Sequence, residues 1–366
     1  MKRVLFALAG LAAAVQIAAQ NPRPEVVAQG LDRPWAFAFL PGGEFLVSEK
    51  PGAMRIVSAQ GTIGAPLTGV PKAEFVGQGG LLDVVLDSGF ASNRTLYFCF
   101  TEAGDKNTNG TALARAQLKA DRSGLEAVQV IFRQAPKMAG RHHFGCRIVQ
   151  ARDGTLFMTL GDRFSGMQRA QTLDNHLGKV IRVAKDGSAP PDNPFVNRAG
   201  ALPEIYSFGH RNPQGAVLDA SGGLWIHEHG PQGGDEFNRV RPGLNYGWPV
   251  ITYGENYGGG KIGDGLTAKE GMEQPVLQWT PSIAPSGLTR ITSTAYGTNW
   301  RGSYVVGALK FRQLQRVSLD AEGRALGKPE VFAADIGRVR DVREGPDGLL
   351  YVLTEGEPGQ LIRLRP

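Results

Sequence analysis

The chain has 366 residues, 50 of them glycine and 23 proline, with 40 Lys/Arg against 34 Asp/Glu and a formal charge of +6. Hydrophobic residues make up 42%, enough to bury a core, which excludes wholesale disorder. Glycine at nearly twice its usual ~7% argues against a helical bundle, because an interior helical Gly costs about 1 kcal/mol against Ala.

Residues 1–20 read as a cleavable export signal. Lys2 and Arg3 precede a short apolar run, and Ala18 and Ala19 supply small residues for cleavage. The run is shorter than the ~20 apolar residues of a membrane span, and no other stretch approaches that length. The expectation is one mature unit, 21–366, exported to the periplasm with no membrane span. The basic residues are dispersed, with no nucleic-acid motif, so the charge implies weak attraction to anions and excludes a DNA role.

Beyond the signal, one pattern recurs: a turn rich in Gly, Asp or Asn, then a short apolar strand. It appears as PGGEFLVSE from Pro41, ASNRTLYFCF from Ala91 and ARDGTLFMTLGD from Ala151. It returns as ASGGLWIHEHG from Ala220, NWRGSYVVGAL from Asn299 and GPDGLLYVLTEG from Gly345. From Gly43 to Gly348 the mean spacing is ~61 residues, the signature of a radial or solenoid array. Six repeats predict an all-β chain: a six-bladed β-propeller with four-stranded antiparallel blades. The segment after Pro24 is expected to close the ring by pairing into the last blade, which hides sheet edges. The longest interval, around Tyr253–Gln274, is expected to carry an inserted loop. Cys99 and Cys146 could pair in an exported protein or remain buried thiols.

Four segments carry chemistry. Arg141-His142-His143-Phe144-Gly145 precedes a strand and offers a histidine, the side chain suited to accept a proton near neutral pH. Gly209-His210-Arg211-Asn212-Pro213-Gln214-Gly215 is a rigid turn presenting the Arg211 fork. His227-Glu228-His229-Gly230-Pro231, followed by Asp235-Glu236, combines turn carbonyls and carboxylates, oxygen ligands of the kind Ca²⁺ takes. His227 and His229 share a strand face, but no third His or Cys follows at zinc spacing. Lys310, Arg338 and Arg340 stand at blade-loop boundaries, where with Arg211 they could meet a polyanionic small ligand.

Together with Gly77-Gln78-Gly79-Gly80, Leu160-Gly161-Asp162, Asn245-Tyr246-Gly247-Trp248-Pro249 and Gly307-Ala308-Leu309-Lys310, these segments resemble the soluble pyrroloquinoline quinone (PQQ)-dependent aldose sugar dehydrogenases, the soluble glucose dehydrogenase-like propellers. The resemblance runs from about Leu31 to the C-terminus. It implies oxidation of aldoses at C1 to aldonolactones. His143 would be the general base, Arg211 would stabilise the oxyanion, and Asp162 would bind a substrate hydroxyl or orient His143. It implies PQQ held by Gln78, Asn212, Tyr257, Ala308, Leu309, Lys310, Arg338, Val339 and Arg340. One Ca²⁺ would lie at the carbonyls of Gly230 and Pro231, and a second, structural one at Glu236 and the carbonyl of Tyr246. Electrons would leave to an external acceptor, from a monomer or homodimer. His142 precedes the base where glucose-specialised relatives often carry an acid, and the blade loops are short, so broad aldose use is expected. A Ca²⁺-dependent propeller lactonase would need no basic cluster, and a non-catalytic binding module would need no His143; both are rival readings.

Overall fold

A computed structural model describes residues 21–366; the expected export signal lies outside the described residues. Short strands with one or both faces apolar cannot bury those faces alone, so sheets must stack. Six four-stranded antiparallel sheets do so around a central channel. Blades 1 to 5 cover residues 34–66, 81–133, 148–208, 213–279 and 285–332 in turn. Blade 6 takes three strands from 339–365 and its outer strand, Arg23–Leu31, from the start of the described chain. Pro24 pairs with Leu364 and Leu31 with Gly359, the closure expected from the sequence. Helix among the described residues is limited to a turn at Phe90–Asn93 and 3-10 turns at Asp105–Asn107 and Met167–Gln171.

The six recurring segments are the second strands of the blades: Glu44–Glu49, Thr95–Ala103, Leu156–Leu160, Leu224–Glu228, Tyr304–Ala308 and Leu350–Thr354. They are buried along nearly their whole length, because each lies inside a sheet that is itself sandwiched between neighbours. The apolar core therefore sits between blades. One cluster runs through blades 1 to 3 and includes Trp35, Leu82, Phe98 and Met158. Another joins blades 5, 6 and 1 through Val305, Leu353 and Phe37.

The channel axis is polar. Arg147, ahead of blade 3, bridges Asp83 of blade 2 at 3.3 Å and Asp341 of blade 6 at 3.1 Å. Arg343 pairs with the same two carboxylates at 2.6 and 2.8 Å. This four-residue plug ties three blades together at the axis. Cys99, on the second strand of blade 2, is joined by a disulfide to Cys146 ahead of blade 3. No strand lies between Val240 and Leu277, so the inserted loop falls where the longest repeat interval placed it.

Candidate active site

Residues that follow the second strands and residues that precede the first strands meet at one end of the channel. They line a cavity of about 190 Å³ that includes Lys50, Gln78, Asn212, Leu309, Arg340 and Glu355. The loop 77–80 can press into this end because three of its four residues are glycine, leaving Gln78 as its one side chain. A Cβ at Gly80, where φ is +146°, would stand 2.2 Å from the Lys50 carbonyl oxygen.

His143 lies beside this cavity, 5% exposed, with its backbone N–H donating to Gln78 Oε1 at 2.8 Å. Its Nδ1 stands 2.6 Å from Asp162 Oδ1. A carboxylate only accepts, so Nδ1 carries the proton and Nε2 keeps its lone pair. Among the described residues Nε2 has no hydrogen-bond partner. Burial holds the imidazole below its usual pKa; Asp162 pulls it up and Arg211 pushes it down. It is therefore neutral and able to accept a proton at pH 7.

Asp162 is fully buried, and both its oxygens are taken. Oδ1 also accepts the Phe164 N–H at 2.7 Å, and Oδ2 accepts Trp248 Nε1–H at 2.7 Å. Of the two roles open to Asp162, this geometry favours orientation of His143. Arg211 stacks over Trp248 at 5.3 Å. It donates to the His229 carbonyl at 3.1 Å and lies 3.5 Å from the Tyr257 hydroxyl. Its Nε is buried without a partner. The turn that carries it is pinned by Glu228, which accepts the Arg211 N–H at 2.5 Å and contacts His210 Nδ1 at 2.9 Å.

Of the expected basic set, Arg338 and Arg340 converge, joined by Lys50 around the carboxylate of Glu355, two residues not singled out from the sequence. Glu355 pairs with Arg340 at 2.8 Å, Arg338 at 3.4 Å and Lys50 at 3.6 Å. Arg340, then Lys50 and Arg338, hold the Glu355 carboxyl at about 2. Arg340 also donates to Gln214 Oε1 at 3.1 Å, and its Nε is buried without a partner. Arg338 reaches the Leu309 carbonyl at 3.3 Å. Lys310 and Tyr257 line a second cavity of about 540 Å³ together with Pro231, one residue along the chain from Leu309. Ala308 ends its strand fully buried. Val339 does not face the cavity: it is buried against Gly307, and its carbonyl accepts from Ser286 Oγ at 2.6 Å.

The expected cation positions can be tested on their donors. Gly230 sits in a fold so tight that a Cβ would stand 2.3 Å from the carbonyls of Gly233 and Gly234. The loop is fixed by Asp235, which accepts N–H groups of Gly230, Ile283 and Ala284 at 2.9, 2.8 and 2.9 Å. The carbonyls of Gly230 and Pro231 accept no hydrogen bond from the described residues, as ligand oxygens should. Glu236 faces Glu228 across two paired strands. Burial, then Glu228, pushes its carboxyl up to about 8, and Asn238 Oδ1 beside it is buried without a donor. Such a site lacks a positive charge, so both donor sets fit hard cations. Tyr246 joins this group through its ring, stacked on His210 at 4.7 Å. No cluster of three His, Cys, Asp or Glu side chains suited to a metal occurs among the described residues. His227 and His229 direct Nε2 at the carbonyls of Gly287 and Pro285, at 3.1 and 2.7 Å. These bonds tie blade 4 to blade 5 and fix the orientation of both rings.

Trp35, Lys50, Gln214, Trp248 and Glu355 complete the site. Lys50 and Glu355 directly follow second strands, a position at which the repeat signals a loop but not which side chain turns inward. Trp248 and Gln214 lay inside quoted motifs without a role.

A propeller with a buried His143–Asp162 pair beside a cation-lined cavity at one channel mouth has the layout of a small-molecule enzyme. The model of the glucose/sorbosone dehydrogenase family matches residues 31–363. The chain is 40% identical to the aldose sugar dehydrogenase YliI of Escherichia coli K12, over 99% of this chain and 98% of the relative. The crystal structure of the soluble aldose sugar dehydrogenase from Escherichia coli in the apo-form superposes with a TM-score of 0.90 at 40% identity, covering 94% of this chain and 99% of that one. The PQQ-bound form of the aldose sugar dehydrogenase from Streptomyces coelicolor superposes with a TM-score of 0.76 at 30% identity, covering 95% and 99%. The chain belongs to the glucose/sorbosone dehydrogenase family.

Proposed function

We propose that this protein oxidises aldose sugars at C1 to aldonolactones, dependent on PQQ and Ca²⁺. The observation that carries the reading is the juxtaposition of a neutral, carboxylate-oriented His143 with the cation cluster Lys50, Arg338 and Arg340 at one channel mouth. The donor set fits a planar tricarboxylate. Lys310, Arg338 and Arg340 offer charge, Gln78 and Asn212 offer amides, and Arg211 and Arg340 hold buried N–H groups that lack partners. Tyr257 and Leu309 supply apolar contact, Ala308 contributes backbone only, and Val339 stays in the core behind them.

When bound, PQQ supplies the hydride acceptor and Ca²⁺ the Lewis acid that polarises it. The carbonyls of Gly230 and Pro231 would hold that ion; Glu236 and the Tyr246 carbonyl would hold the second. His143 Nε2 takes the proton of the anomeric hydroxyl, and Asp162 stabilises the imidazolium that results. Arg211 directs N–H groups at the developing negative charge. Trp248 supports both, by its bond to Asp162 and its stack under Arg211. An external acceptor removes the electrons. No helix among the described residues is long and apolar enough to cross a membrane; export to the periplasm rests on the signal expected at residues 1–20. His142 in place of an acid favours broad aldose use.

Reconstitution tests this. Purified protein with PQQ and Ca²⁺ should reduce a dye with several aldoses, and silence with every sugar would remove the dehydrogenase reading. His143→Ala should keep PQQ affinity and lose about 10²- to 10⁴-fold in kcat; unchanged turnover would remove His143 as the base.

A further inference from the structure

Phe164 is a large apolar side chain left 52% exposed beside the base. Single exposed apolar residues are ordinary, but the backbone here is not. Arg163 and Phe164 both lie in the left-handed region, at φ of +59° and +64°, which a β-carbon disfavours. Two anchors hold them there. The buried Arg163 guanidinium donates to the His142 carbonyl at 3.1 Å, to Asn109 O and Oδ1 at 2.8 and 2.6 Å, and to Gly140 O at 3.2 Å. It also stacks on Phe144 at 3.9 Å. The Phe164 N–H bonds Asp162 Oδ1, the same oxygen that orients His143. One carboxylate oxygen thus sets both rings. Their centroids lie 5.4 Å apart at 70°, and the exposed His142 ring lies 5.7 Å from Phe164.

A strained backbone that exposes an aromatic ring is the reverse of what packing selects, and such strain clusters at functional sites. A substrate whose hydroxyl meets His143 Nε2 brings the ring bearing that hydroxyl within reach of Phe164. A pyranose has hydroxyls at its rim and C–H groups on its faces, so it suits a flat apolar surface flanked by polar groups. We propose that Phe164, with His142 beside it, is the platform on which the C–H face of the substrate pyranose rests. It is a positioning residue that sets sugar affinity, and this rests on the sugar dehydrogenase reading above.

Holoenzyme loaded with PQQ and Ca²⁺ tests it. Phe164→Asn removes the ring but keeps a residue that tolerates the left-handed region; Phe164→Trp keeps a platform. Phe164→Asn should raise the KM for glucose about tenfold, with kcat within about twofold of wild type. The acid limb of the pH profile and the PQQ affinity should not move. Phe164→Trp should hold KM near the wild-type value. An unchanged KM in Phe164→Asn overturns the platform. So does a fall in kcat with a displaced acid limb, since Phe164 would then only brace the His143–Asp162 pair. If Phe164→Asn melts early, Phe164→Trp decides alone: a tenfold higher KM in a stably folded Trp variant overturns the proposal, and a KM at or below wild type supports it. Wild-type enzyme that oxidises no sugar removes the dehydrogenase reading, and the platform with it. Active wild type with an indifferent Phe164 removes the platform only.

Discussion

His143 shows two opposed effects on one imidazole. Burial disfavours its charged form more than Asp162 favours it, so its pKa lies below the ordinary 6.5. Turnover should be flat across neutral pH and fall on acidification below that value. Asp162→Asn removes the contribution that raises the pKa, so the acid limb should move to lower pH while kcat drops on the order of 10²-fold, because the ring loses its orientation. A pH–rate profile of both proteins checks this; an acid limb moving upward would contradict it. Glu355 is the second residue-scale case. Its carboxyl is held at about 2, below its unfolded value. It therefore stabilises the fold above pH 4.5, and that stability is lost as pH falls toward 2. Glu355→Gln leaves Lys50, Arg338 and Arg340 without their counter-charge. The variant should lower the melting temperature of the cofactor-free protein more than that of the PQQ-loaded one, where a tricarboxylate replaces the missing charge. Equal losses in both forms would mean that the cofactor does not meet this cluster.

At the scale of elements, position after each second strand decides who reaches the channel mouth. Lys50, Asp162, His229, Lys310 and Glu355 all stand within two residues of a strand end. The repeat made the strands legible, and with them the places where function concentrates. It did not say which of these side chains turn inward. Lys50 and Glu355 are not legible this way, because each is an ordinary surface residue type and the repeat around them reports strands rather than chemistry. The paired strands Leu224–Glu228 and Asp235–Val240 bring Glu228 and Glu236 face to face, a repulsion that a divalent ion would relieve. Ca²⁺ should therefore raise the melting temperature without PQQ, and Glu236→Gln should abolish most of that rise. Calorimetry with Ca²⁺ and with chelator reads the difference, and an equal rise in the variant would place the ion elsewhere.

Across the whole molecule, three devices hold the ring: the terminal strand pairing of blade 6, the Arg147–Asp83–Asp341–Arg343 plug, and the Cys99–Cys146 disulfide. The disulfide closes a loop with a sequence separation of 47, a length at which a cross-link contributes about 2–4 kcal/mol. It also anchors the segment three residues after His143. Reduction, or the Cys99→Ser/Cys146→Ser pair, should lower the melting temperature by several degrees and reduce turnover more than PQQ affinity. Two free thiols counted in the denatured, unreduced protein would show that the cysteines are not paired in solution.

The sequence by itself determined the all-β class, the six blades and the closing strand, because turn residues and apolar periodicity are local and repeat at a regular spacing. Motifs also carried His143, Arg211 and the Gly230-Pro231 turn. Only the tertiary structure decided that Asp162 spends both oxygens on orienting groups, that Val339 faces the core, that His229 bonds the Pro285 carbonyl, and that Cys99 meets Cys146. It alone brought Lys50, Glu355 and Phe164 to the site. Those outcomes depend on which side chains from different blades share one channel mouth, and that follows from ring closure and from the desolvation and pairing of charges at long range. No local pattern records them.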